Sequence, residues 1–135
     1  MYPGPVAGQV YTITVSREFV AQHFLTVPDP KPPEGEVHSH AFTAEARLSG
    51  SELGEYDYLL DITDLEAAMD DTVAEYRDEL LNDRREFEGL NPSVERFAER
   101  FAGRLLGRLD APRVERCELR MWEDDVAWAS HERPV

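Results

Sequence analysis

The chain has a single cysteine, Cys117, among 135 residues, which excludes an internal disulfide and suits a reducing compartment. It has one lysine, Lys31, and every other basic residue is arginine. Basic residues are scarce altogether: 14 Lys and Arg face 28 Asp and Glu, for a formal net charge of −14. Such a surface repels nucleic-acid phosphate and anionic headgroups, so neither nucleic acid nor a membrane is an expected partner. The acid-rich, lysine-poor balance also fits a salt-rich cytoplasm. No run approaches the roughly 18 apolar residues of a membrane span. The opening MYPGPVAGQ lacks the basic and apolar blocks of a secretory leader, and the expected location is cytoplasmic. Gly-rich phosphate loops are missing, and no serine or cysteine is framed as a nucleophile by a local motif.

What is present is an ordinary globular composition, 41% hydrophobic, in a length that fits one domain over residues 1–135. The first eight residues are expected to be untethered. QVYTITVSREFVAQHF alternates and is rich in β-branched residues, predicting a strand from about Gln9. TVPDPKPPEGE, with four prolines and a glycine, is a loop. HSHAFTAEARLSG alternates cleanly, with His38, His40, Phe42, Ala44, Ala46 and Leu48 on one face. The period then changes. Thr63 and Glu66 form a capping box, and Leu65, Met69, Val73, Tyr76 and Leu80 make a helical stripe ending near Asn82. Asn91 as N-cap and Pro92 at the first position open a second helix lined by Val94, Phe97, Phe101 and Leu105. RVERCELRMW and VAWASHE supply two closing strands. The order ββααββ predicts an α+β domain, a four-stranded antiparallel sheet with two helices on one face. Its two raw edges are aggregation hazards that homo-oligomerisation through the sheet edges would remove.

Three of the four histidines carry the chemistry. His38 and His40 share a strand face, and a hairpin would return His23, at the end of the first strand, to their side. Three imidazoles leave a fourth tetrahedral position open, as in catalytic zinc sites. The ligand type suits zinc but is shared by iron, nickel and copper. Carboxylates are too common in this chain to be singled out by composition, although Glu34 and Glu36 flank the histidines and Glu123 sits at the tip of the last strand pair.

These segments resemble the 6-pyruvoyltetrahydropterin synthase and 6-carboxytetrahydropterin synthase family from about Gln9 to His131. AQH looks like the family's first-strand histidine, and HSH stands where the family has His-Gly-His. LLDITDLE resembles the segment before its first helix. LLND and NPSVE match its Leu-Asn-Asp and Asn-Pro-Thr segments, and WEDDVAWA its glutamate followed by Trp-Ala. The resemblance implies the tunnelling fold, assembled through sheet edges into a barrel, usually a hexamer. It implies zinc on His23, His38 and His40, a pterin anchored by Glu123, and Ser93 of the Asn-Pro-Thr-like segment on the substrate side. The implied substrate is 7,8-dihydroneopterin triphosphate. The implied product is a 6-pyruvoyl-, 6-carboxy- or 6-hydroxymethyl-pterin, on tetrahydropterin, queuosine or folate routes. Two positions depart from the family pattern. Its catalytic cysteine falls on Glu34, and members with glutamate in that region cleave the side chain to 6-hydroxymethyl-7,8-dihydropterin. Glu34, with Glu36 close by, is therefore the expected base. The family's Asp-His pair falls on Arg77 and Asp78, leaving Asp78, or His131 from the last strand, to relay protons. The alternatives are a pterin- or purine-binding protein without turnover and a zinc-stabilised assembly protein.

Overall fold

The computed structural model describes residues 6–135, so the expectation for the N-terminal stretch lies outside the described residues at 1–5. Alternation builds a long hairpin first. β1 (Tyr11–His23) pairs antiparallel with β2 (His38–Gly50), from Tyr11↔Gly50 to the last rung, His23↔His38. A second hairpin, β3 (Arg116–Trp122) and β4 (Trp128–Pro134), joins through β3 to β2. The sheet is antiparallel in the order β1-β2-β3-β4, with β1 and β4 at its edges. Helix α1 (Ile62–Tyr76) lies against β1, and α2 (Val94–Leu106) lies against β3 and β4. This is the expected ββααββ arrangement.

One face of β1, β2 and β3 is buried under the helices: Val15, Phe19 and Ala21 on β1, Phe42 to Leu48 in alternation on β2, and Cys117, Leu119 and Met121 on β3. Phe97 of α2 is the hub. Its ring meets Phe42 at 5.1 Å, Tyr76 at 5.1 Å and Phe19 at 5.9 Å, all edge-on or nearly so, the orientation that aromatic quadrupoles favour. Arg17 breaks the apolar run on β1. It lies toward the margin of the core, and its guanidinium donates to Asp70 (2.7 Å) and Glu66 (3.2 Å) of α1.

Three boundaries differ from those the periodicity predicts. The N-cap of α1 is Asp61, whose carboxylate accepts from the Thr63 amide (2.9 Å) and hydroxyl (2.6 Å); Thr63 lies inside the first turn. α1 ends at Tyr76 rather than near Asn82. Asp78 takes φ 61°, and the chain turns to run beside β1, with Asp78 N–H donating to Val20 O (2.7 Å) and Gln22 N–H to Glu79 O (2.9 Å). Those bonds satisfy backbone groups on the free edge of β1, which a continued helix would leave bare. The N-cap of α2 is Ser93, whose hydroxyl accepts from Arg96 N–H (3.1 Å), while Asn91 is engaged elsewhere. No helix among the described residues is long and apolar enough to cross a membrane.

Because Phe97 is fully buried at the centre of this cluster, Phe97→Ala is expected to cost about 3–5 kcal/mol of stability. Urea denaturation at fixed protein concentration checks this; a loss under about 1 kcal/mol would remove Phe97 from the centre of the core.

Candidate metal centre

The pairing of β1 with β2 puts three imidazoles at one end of the sheet. His23 and His38 form the last rung, and His40 lies opposite Ala21 on the same face. Ring centroids are 4.5 Å apart for His23–His38, 5.1 Å for His23–His40 and 4.8 Å for His38–His40. One ligand atom from each ring lies within 4.8 Å of the other two. The Phe42 ring, 5.8 Å from His23 and 5.5 Å from His40, forms an apolar floor.

Backbone carbonyls set two of the tautomers. His23 Nδ1 is 2.8 Å from Pro92 O, and His38 Nδ1 is 2.7 Å from Glu36 O. A carbonyl only accepts, so each Nδ1 carries the proton and donates it, leaving Nε2 with a free lone pair. Metal-binding histidines are commonly oriented in this way. His23 Nε2 is buried with no hydrogen-bond partner, and so is His40 Nε2, which approaches Glu123 Oε1 to 2.9 Å without hydrogen-bond alignment. Orphaned buried nitrogens are costly. A divalent ion held by His23, His38 and His40 would satisfy both, so the residues present fit a metal. Burial lowers the pKa of His23 despite the opposing Pro92 carbonyl, and that of His40 despite Glu123. Both rings are thereby biased toward the neutral form that ligates metal.

Of the other expected site residues, Glu123 joins the centre through its contact with His40, and its N–H donates to Ala127 O (3.1 Å) in the β3–β4 turn. Beside it lies a hollow of about 160 Å³ between the start of α2 and that turn, lined by Val94, Glu95, Glu123 and Trp128 among others. Ser93 caps α2 next to Pro92, the residue bonded to His23. Glu34 and Glu36 have exposed side chains. Their backbones do the observed work: Glu34 O accepts from Leu25 N–H (2.7 Å), and Glu36 O holds His38. Asp78 is exposed beside Val20 on the edge of β1 and does not converge on the triad within one chain. His131 sits opposite Leu119, well along the sheet from the triad, and its Nε2 accepts from Arg133 Nε at 3.0 Å. A larger cavity, about 630 Å³ and lined by residues that include Tyr58, Asp61 and Arg108, lies near the opposite end of the sheet. The parts that sequence reasoning passed over are the Pro92 carbonyl and the side chains of Asn82 and Asn91. Asn91 was legible only as a helix cap.

An antiparallel ββααββ sheet with a three-histidine centre at one end defines a protein of the tunnelling-fold class. The sequence matches the family of 6-pyruvoyl tetrahydropterin synthase over residues 12–134, and the chain belongs to that family. This places it among the lyases of pterin biosynthesis. No curated protein matches its sequence. Among solved structures it is similar to a Plasmodium vivax 6-pyruvoyltetrahydropterin synthase variant in which a catalytic glutamate is replaced by cysteine (14% identity, TM-score 0.77, covering 95% of this chain and 100% of that one). It is also similar to the Caenorhabditis elegans 6-pyruvoyl tetrahydropterin synthase (15%, 0.73, 93% and 96%). A dihydroneopterin aldolase from Burkholderia thailendensis bound to guanine aligns more loosely (10%, 0.50, 93% and 90%). At these identities the likeness is one of fold.

The centre predicts one tightly bound divalent ion per chain. Replacing His23, His38 or His40 by Ala should weaken zinc binding by at least about tenfold in a chelator-competition titration, while Glu34→Gln and Glu36→Gln should leave it unchanged. Wild-type affinity in His23→Ala would remove that ring from the ligand set.

Proposed function

We propose that the protein is a zinc-dependent lyase that acts on the side chain of 7,8-dihydroneopterin triphosphate. The observation that carries this reading is the convergence of three metal-competent imidazoles, one of which, His40, meets the carboxylate of Glu123. His23, His38 and His40 would hold the zinc, which when bound supplies Lewis-acid polarisation of the substrate's side-chain oxygens. Glu123 accepts from the pterin's amino and amide N–H groups, a charge-assisted paired contact that fixes the ring. Ser93 and the hollow beside Trp128 give the ring its surroundings. Glu34 is the general base, with Glu36 close by. It stands where the family carries cysteine, and the Plasmodium relative has a catalytic glutamate of its own. A carboxylate base favours side-chain cleavage to 6-hydroxymethyl-7,8-dihydropterin, a folate-route product, over the 6-pyruvoyl and 6-carboxy outcomes of the tetrahydropterin and queuosine routes.

Assembly belongs to the same reading. β1 and β4 are edge strands in the single chain, and Val20 and Trp128 on them are exposed. A homo-oligomer, a hexamer by analogy with the family, would close the sheets into a barrel. It would also give Glu34 and Asp78, both exposed here, a neighbour's surface to face. Asp78 then serves as proton relay across that boundary. The working compartment is the cytoplasm.

A second reading is a pterin- or purine-binding protein without turnover. What favours it is that Glu123 is at the centre while Glu34 and Asp78 are not drawn in within one chain.

Incubation with 7,8-dihydroneopterin triphosphate and mass spectrometry of the products separates the two. The lyase reading expects product from wild type and a kcat lowered about 10²–10⁴-fold in Glu34→Gln at unchanged zinc content. Full turnover in that variant would remove Glu34 as base. Pterin binding that is lost in Glu123→Ala, with no product from wild type, would establish the second reading instead.

A further inference from the structure

Residues 24–26 continue past the end of β1, and two side chains hold them where a strand would. Asn82 Oδ1 accepts from Phe24 N–H (2.9 Å), and Asn82 Nδ2 donates to Phe24 O (2.9 Å). Asn91 repeats the pattern two residues on: Oδ1 accepts from Thr26 N–H (2.8 Å) and Nδ2 donates to Thr26 O (3.1 Å). A carboxamide offers one acceptor and a donor in the geometry of a peptide unit. Each asparagine therefore satisfies an extended residue as a ladder partner would. The residue between them, Leu25, directs its N–H to Glu34 O (2.7 Å). Pro92, next to Asn91, places its carbonyl on His23. One connector, residues 82–92, thus grips the first metal-site histidine and two of the three residues after it. The middle one of those three is bonded to the backbone of Glu34.

We infer that Asn82 and Asn91 are positioning residues, acting through residues 24–26 to hold Glu34 in register with the histidine centre. The inference rests on the reading of Glu34 as base. Their chemistry is specific: aspartate keeps the acceptor but loses the donor to Phe24 O or Thr26 O, and leucine keeps approximate size but loses both. The loop from Thr26 to Glu36 contains the prolines and the exposed acidic groups but little packing. Its entry is held by these four bonds and its exit by the Glu36–His38 contact.

The test uses Asn82→Asp, Asn91→Asp and Asn91→Leu in the full zinc-loaded chain. Asn91 provides the second site should Asn82 variants fail to fold, because its bonds are the more exposed pair. Four readouts are taken: hydrogen exchange of the Leu25 and Thr26 amides, zinc affinity, melting temperature, and the split between kcat and KM with 7,8-dihydroneopterin triphosphate. The expected result is faster exchange at those amides, zinc affinity and melting temperature close to wild type, and a kcat about 10–100-fold lower at unchanged KM. Aspartate variants should retain more activity than Asn91→Leu. Wild-type kcat despite faster exchange, or kcat falling only in step with melting temperature, would overturn the inference and leave the amides as fold-holding groups. A wild type that makes no product would instead overturn the lyase reading, and the positioning role would fall with it.

Discussion

Everything at the centre depends on the register between β1 and β2. With His23 opposite His38, the inner face carries Phe19, Ala21 and His23 on one strand and His38, His40 and Phe42 on the other. A slip of one residue would exchange faces. Gln22 would replace His23, and Glu18 and Val20 would replace apolar partners of α1 and α2. The register that buries Phe19 and Phe42 under Phe97 is therefore the one that gathers the imidazoles. Hydrophobic burial and ligand convergence are enforced by a single constraint, and the second needs little organisation of its own.

The helical layer reaches the centre through backbone and amide groups of its connector. That requires α1 to stop at Tyr76, because only then do residues 77–92 travel along β1 and bring Pro92 to His23. The connector is itself pinned. The Arg84 guanidinium stacks 5.0 Å from the Tyr76 ring and donates to Glu75 O (2.9 Å) and to Glu86 (2.8 Å), which Arg104 of α2 also engages. Burial would raise the pKa of Glu86, but its bonds with Arg84 and Arg104 hold it below the ordinary carboxylate range. The carboxylate stays charged and ties the two helices to the segment between them.

The legible parts of this structure were those governed by period and by residue chemistry. Alternation in β2 and the spacing of His38 and His40 suffice to place two imidazoles together, and the hairpin topology brings the third. The boundaries were not legible, because neighbouring residues offer the same local chemistry. Asp61 and Thr63 both cap well, as do Asn91 and Ser93, and tertiary contacts decided between them: Asn91 is drawn to Thr26, 65 residues away in sequence. Leu80 prolonged the helical stripe on paper, yet residues beyond Tyr76 gain more by bonding the edge of β1. The carboxylates were hardest. With 28 acidic side chains, composition carries no information about which one is functional. Only the contact with His40 distinguishes Glu123.

Sheet and loop divide the work unequally. The three histidines and Glu123 stand on or just beyond strands whose burial fixes their positions, so the arrangement of the centre tolerates little variation. Glu34 stands in a proline-rich loop attached to the sheet by a few hydrogen bonds, where a substitution costs little stability. In the proposed reading such a fold can exchange its base, cysteine for carboxylate, with little disturbance of the ligands, because the loop meets them only through residues 24–26 with their connector and through the Glu36–His38 bond. Family membership thus speaks strongly for the metal centre and the pterin and weakly for the bond that breaks. In the proposed reading the reaction turns on an exposed loop residue, Glu34, and on how firmly the asparagine amides keep its loop in place.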